Sequence, residues 1–141
     1  MMEILNIKAD NKLTAEVMDF VETQLTQYEF PVQLLPDILI AAEEIFVNIA
    51  NYAYNPGEAG EVEISVSVGE KAVLRFKDNG KPFDPLKRAG PDLNVPIMER
   101  EIGGLGIHFV KNMMDEAEYE YTGGKNILTI SKSVSKQDRT K

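Results

Sequence analysis

Cysteine and tryptophan are absent from this 141-residue chain, and His108 is its single histidine. Without cysteine there is no disulfide framework and no thiolate metal site, and one imidazole cannot by itself build a zinc centre. Basic residues are in deficit: 15 Lys and Arg face 23 Asp and Glu, a formal charge of −8. That sign is wrong for wrapping a phosphate backbone by counterion release, so nucleic acid is not an expected partner. No apolar run approaches the roughly 18 to 20 residues that span a bilayer. The stretch from Ile38 to Ala42, for example, stops at a carboxylate. The N-terminus, MMEILNIKADN, carries an acid at Glu3 and has neither the basic nor the long apolar region of a secretory leader. A cytoplasmic protein with no membrane partner is the expectation.

What is present suits one domain, at roughly 100 to 200 residues per domain. Residues 1–133 are read as that domain and 134–141 as a polar tail. Ile4, Leu5 and Ile7 make a short apolar start compatible with a strand. Asp10 or Asn11 then offers an N-cap to a helix with Leu13, Val17, Phe20, Val21 and Leu25 on its apolar face, ended by Pro31. A second helix is expected from about Gln33 to Tyr54, closed by Asn55-Pro56-Gly57. Val62, Ile64, Val66 and Val68 follow at strict period two, and Gly69-Glu70 turns the chain into a strand over 72–77, which reads as an antiparallel hairpin. From Asp78 to Ile102 there are four prolines and no sustained period. Irregular segments longer than about 12 to 15 residues are usually functional or disordered. A third helix is expected after Gly103-Gly104-Leu105-Gly106, then two short strands around Thr122-Gly123-Gly124-Lys125. Antiparallel strands with grouped helices predict an α+β two-layer sandwich, a mostly antiparallel sheet covered on one face by helices.

Three segments carry chemistry. On the second helix, Leu35, Ile38, Leu39, Ala42, Ile45, Phe46, Ile49, Ala50 and Ala53 share the core side. Glu44 and Asn48 are i,i+4 neighbours on the other side, with Asn51, and flanked by Ile40, Ala41, Val47 and Tyr52. Small amides and one acid among apolar side chains suit a cleft wall. An Asn carbonyl oxygen is a hard neutral ligand for Mg²⁺, and a Glu one turn back could orient or deprotonate a hydroxyl. The same pair is also compatible with an ordinary half-exposed helix face. Asp78, before Asn79-Gly80, is either a turn-forming residue or a carboxylate that accepts the exocyclic amine of adenine, with Gly80 letting the backbone come close to the base. The Gly103–Gly106 run exposes backbone N–H groups at a helix start, a phosphate cradle that matches neither the P-loop nor the dinucleotide fingerprint. His108 reads as a packed structural residue, and Thr129, among Ile127, Leu128 and Ile130, as a sheet residue.

Taken in order, EEIFVNIANYAY, DNGKPFDP and REIGGLGIHFVKNMMDEAEYEY with GGKNILTI, the sequence resembles the Bergerat-fold ATPases, a superfamily that includes histidine kinases, type II topoisomerases and a heat-shock chaperone. It is most similar to the small branch of anti-sigma-factor serine kinases, also called anti-sigma regulatory factors. The resemblance covers about residues 34 to 131. It casts Glu44 as the general base, Asn48 as the Mg²⁺ ligand and Asp78 as the adenine-binding aspartate, with Gly80 beside it and Thr129 supporting the same contact through water. Gly104, Leu105 and Gly106 match the phosphate-binding glycine motif, and about 85–102 the ATP lid. Tyr52 departs from the histidine many anti-sigma kinases carry there, and Ile102 from the arginine of some relatives. The resemblance implies ATP and Mg²⁺ as cofactors, a sigma factor and a small antagonist protein as partners, and a homodimer. A non-catalytic module of the same fold that acts by holding a partner is the other reading. A histidine kinase is less in keeping with the chain, which has no room for a dimerisation helix pair bearing a phosphoacceptor histidine.

Overall fold

Alternation builds the sheet. In Glu61–Val68 (β2) the side chains of Val62, Ile64 and Val66 are wholly buried, while Glu61 faces solvent. Lys71–Asp78 (β3) repeats the pattern, with Ala72, Leu74, Phe76 and Asp78 inward and Lys71 and Arg75 outward. The computed structural model describes residues 2–55, 57–58, 60–87 and 102–134, the last segment with side chains from 107 onward. Met2–Lys8 (β1), Glu116–Thr122 (β4) and Lys125–Ser133 (β5) complete a five-stranded sheet in the order β1-β2-β3-β5-β4. Every pairing is antiparallel. The β4–β5 turn places Gly123 and Gly124 at φ 61° and 77°. Two consecutive left-handed residues are what a two-residue hairpin of right-twisted strands requires.

Among the described residues three α-helices cover one face: Thr14–Gln27 (α1), Leu35–Tyr52 (α2) and Ile102–Met113 (α3). Asp10 accepts the Lys12 N–H (2.9 Å) ahead of α1, whose Val17, Val21 and Leu25 are fully buried. Pro31 is not what stops this helix. It ends at Gln27, where Glu29 turns left-handed (φ 61°) and Phe30 N–H donates to Leu25 O and Glu29 N–H to Thr26 O. That paired closure satisfies carbonyls that the last turn would otherwise leave open. A 3-10 turn over Val32–Leu34 precedes α2, so the helix proper begins two residues later than the pattern predicts, with Pro36 and Asp37 in its first turn. Ile38, Ala42, Ile45, Phe46 and Ile49 point into the core as expected, together with Ala41, which the wheel had put on the cleft flank. Burying each large member is worth about 1.5 to 3 kcal/mol.

Lys132 is wholly buried between helices and sheet. Its Nζ donates to Met113 O at the end of α3 (2.6 Å) and pairs with Asp37 at the start of α2 (3.5 Å), joining two helix ends to β5. Of the expected lid, Pro85–Lys87 form a 3-10 turn and Ile102 opens α3, while 88–101 lie outside the described residues. Residues 135–141 of the expected tail lie outside them as well. Among the described residues no helix is long and apolar enough to cross a membrane.

Candidate functional site

The last two turns of α2 carry the first part of the site. Asn48 is 1% exposed, and its Nδ2 donates both to Glu44 Oε1 (2.7 Å) and to Glu44 O (2.8 Å). With both amide hydrogens spent on Glu44, the orientation of the carboxamide is fixed and Oδ1 is directed away from that carboxylate. One turn on, Tyr52 packs its ring on Phe83 (centroids 5.5 Å, 40° between planes). The end of the helix then meets the loop after β3, where Lys81 N–H donates to Ala53 O at 3.0 Å. Asn51, expected beside Glu44 and Asn48, belongs elsewhere. It accepts from Asn11 Nδ2 at 2.6 Å and lines a cavity of about 520 Å³ with Asp10, Asn11 and Asn55.

Asp78 ends β3 on the helix-covered side and is 4% exposed. Its Oδ1 accepts two hydrogen bonds, from Gly80 N–H (2.8 Å) and from Asn126 Nδ2 (2.9 Å). Among the described residues Oδ2 accepts none. Burial pushes this carboxyl above the ordinary carboxylate range, and the bonds from Asn126 and Gly80 pull it part of the way back. A buried carboxylate with one oxygen held and the other open is suited to a ligand's amino group. Tyr54 braces the same loop, donating to Glu61 O (2.7 Å) and accepting from Asn79 N–H (3.0 Å). Burial is the main cause that raises its hydroxyl pKa.

Gly80 needs its missing side chain for a reason other than the expected one. A Cβ there would lie 2.3 Å from Ala53 O, so the space a glycine leaves is filled by the end of α2, not by a base. Thr129 is also relocated. It pairs with Arg75 on the face of the sheet away from the helices, where Arg75 Nε lies 3.4 Å from its Oγ1. The side-chain period of a strand is two, and Asp78 pairs with Asn126, three residues from Thr129, so the two point to opposite faces. Thr129 therefore cannot support a contact at Asp78, and Asn126 stands in that place. Sequence reasoning missed it, along with Tyr54, Phe83 and Tyr119, whose hydroxyl donates to Asn126 Oδ1.

The glycine run is not a loop ahead of α3, since the helix starts at Ile102 and Gly103, Gly104, Leu105 and Gly106 form its first turns. The chemistry survives the shift: the first four N–H groups of any α-helix lack a carbonyl partner within it, and the helix dipole favours an anion there. His108, expected to be packed, is exposed.

Residues 7–132 match the family model described as the histidine kinase-like ATPase domain. The chain belongs to that family. Among its curated relatives is the serine/threonine-protein kinase BtrW of Bordetella bronchiseptica, 26% identical over 95 residues that make up 67% of each chain. The serine-protein kinase RsbW of Listeria monocytogenes is 30% identical over 104 residues, 70% of this chain and 66% of that one. A structure of the RsbU and RsbW domains of a Mycobacterium tuberculosis protein superposes with a TM-score of 0.68 at 12% identity, over 94% of this chain and 32% of the longer one. At that identity the likeness establishes the fold. The five antiparallel strands under three helices are accordingly the histidine kinase-like ATPase architecture.

Among the described residues no cluster of three or more His, Cys, Asp or Glu could cage an ion. Mg²⁺, however, keeps waters and substrate phosphates and asks little of the protein. The neutral Oδ1 of Asn48, oriented by its two bonds to Glu44, fits that kind of site.

Proposed function

We propose that this chain is an ATP- and Mg²⁺-dependent protein serine kinase that acts as an anti-sigma regulatory factor, binding a sigma factor and phosphorylating a small antagonist protein. The observation that carries the reading is the arrangement at the end of α2: the Glu44–Asn48 pair in its last turns, and a buried Asp78 with one oxygen open, whose following loop meets that helix end through Lys81–Ala53 and Phe83–Tyr52. The kinase names of its relatives support it. Mg²⁺, when bound, neutralises charge on the transferring phosphates. In this reading Asn48 Oδ1 holds the ion, and the N–H groups of the first turn of α3 hold the phosphates. Asp78 Oδ2 accepts the adenine amine. Glu44 orients the acceptor serine hydroxyl and takes its proton as the serine oxygen bonds to the γ-phosphorus and the bond from that phosphorus to the bridging oxygen breaks, releasing ADP.

The test has two steps. Calorimetric titration with ATP, with and without Mg²⁺, should show saturable binding that depends on the metal. Incubation with ATP and a candidate antagonist should then place phosphate on one of its serines. Binding without transfer to any antagonist that forms a complex would leave a nucleotide-holding partner-switch module. No binding up to millimolar ATP would end the kinase reading.

A further inference from the structure

We infer that Asn126, not Thr129, is the residue that makes this site discriminate adenine from other purines, acting as a positioning residue through Asp78 and the 80–83 loop. The inference rests on the ATP-site reading above. Asn126 is 4% exposed and lies directly across the β3–β5 ladder from Asp78. Every polar position of its carboxamide is used. Nδ2 donates to Asp78 Oδ1 (2.9 Å) and to Lys81 O (2.8 Å), with Gly80 O at 3.4 Å. Oδ1 accepts from Phe83 N–H (3.0 Å) and from the Tyr119 hydroxyl.

Two donors facing two oxygens, and one acceptor facing two donors, is a pattern only a carboxamide can meet. It also defines what the residue does. The bond to Asp78 takes up Oδ1, so that Oδ2 is the oxygen left to receive an amino group. The bonds to Lys81 and Phe83 hold the loop that carries Gly80 and brings Phe83 against Tyr52. Thr129, on the opposite face, touches none of these groups.

The distinguishing measurement is the ratio of ATP to inosine triphosphate affinity, since the two differ at the 6-amino group that Asp78 would receive. The unaltered chain should prefer ATP roughly tenfold to a hundredfold, the range of a charge-assisted hydrogen bond. Asn126→Ala should bring the ratio to within about threefold, with inosine triphosphate binding little changed. A merely structural loosening would weaken both nucleotides by the same factor and keep the ratio. Circular dichroism confirms folding. Should Asn126→Ala not fold, Asn126→Ser serves, because its short hydroxyl cannot span Asp78 and the loop together and the ratio should still fall. Thr129→Val should keep the ratio of the unaltered chain. An undiminished ratio in the Asn126 variants, or a collapse in Thr129→Val instead, overturns the inference alone. An unaltered chain that binds neither nucleotide, or both equally, overturns the adenine reading and the inference with it.

Discussion

Replacing Asp78 by Asn tests the adenine contact with almost no change of shape. Both hydrogen bonds to Asp78 fall on Oδ1, so the new amide keeps its oxygen there and turns its NH₂ to the place of Oδ2. A donor then faces the 6-amino group of ATP, and a charge-assisted bond worth about 1.5 to 3 kcal/mol is lost. ATP affinity should fall roughly ten- to 150-fold. Inosine triphosphate presents a 6-oxo acceptor in the same position and should gain, by about two- to tenfold for a neutral hydrogen bond. The preference should invert. Stability moves the other way. Burial raises the native pKa of Asp78 above its ordinary 3.8, so the native chain holds this proton more tightly than the unfolded one. Stability therefore falls as pH rises from 3.8 to the native value, and the deficit is constant above it. Asp78→Asn has no such deficit, and urea unfolding should find it more stable than the unaltered chain at pH 7, with the advantage gone once the pH is below 3.8. Equal losses for ATP and inosine triphosphate, or none, would refute the geometry.

Three further outcomes follow from single contacts. Gly80→Ala puts a Cβ 2.3 Å from Ala53 O, and overpacking against backbone should cost about 1 to 3 kcal/mol in a urea titration. Lys132→Ala removes a buried cation from Met113 O and from the partly exposed Asp37; leaving that carbonyl without its donor should lower stability by about 1 to 3 kcal/mol, seen as a shift of the unfolding midpoint without a change of slope. Glu44→Gln should lower phosphotransfer about 10²- to 10⁴-fold while sparing ATP affinity, and unchanged turnover in a single-turnover assay would remove its role as base.

Much of the fold was legible because its determinants are local. Period two in Val62 to Val68 and the i,i+4 spacing of Val17, Val21 and Leu25 fix which faces are buried before any tertiary contact is known. The resemblance, by contrast, located motifs without register. It put Thr129 at Asp78, whereas Leu128 and Ile130 are the buried apolar members of the strand, and period two from them places Asn126 inward and Thr129 outward. With Ile127, Leu128 and Ile130 all apolar, the strand's pattern alone does not say which face Asn126 takes. Other features could not be read at all. That Ala53 O fills the space over Gly80, and that Tyr54 bridges Glu61 and Asn79, depend on where the end of one helix meets the end of a hairpin, which no local pattern encodes. The end of α1 is an intermediate case: Pro31 marked the boundary region, but the closure is made by the left-handed Glu29, a conformation sequence seldom announces for a glutamate.

In the ATP-site reading, the cluster around Asp78 would bind its ligand at the expense of stability. Asn48, Asp78 and Asn126 are three of the six buried polar or charged residues described. The Asn126 carboxamide is fully partnered within the protein, and Asp78 Oδ1 with it, yet Oδ2 is left open. Burying most of this carboxylate is unfavourable in the free chain. For the same reason the open oxygen is favourable to fill: Asp78 has already lost most of its water on folding and is held in one orientation, so an arriving amine meets an acceptor that needs little further desolvation or ordering. The same burial holds the Asp78 carboxyl above its ordinary value, and removing that cost in Asp78→Asn should stabilise the fold and abolish selective ATP binding together. A coupling of those two effects in one conservative substitution is what separates a preorganised binding site from a polar group that is merely buried.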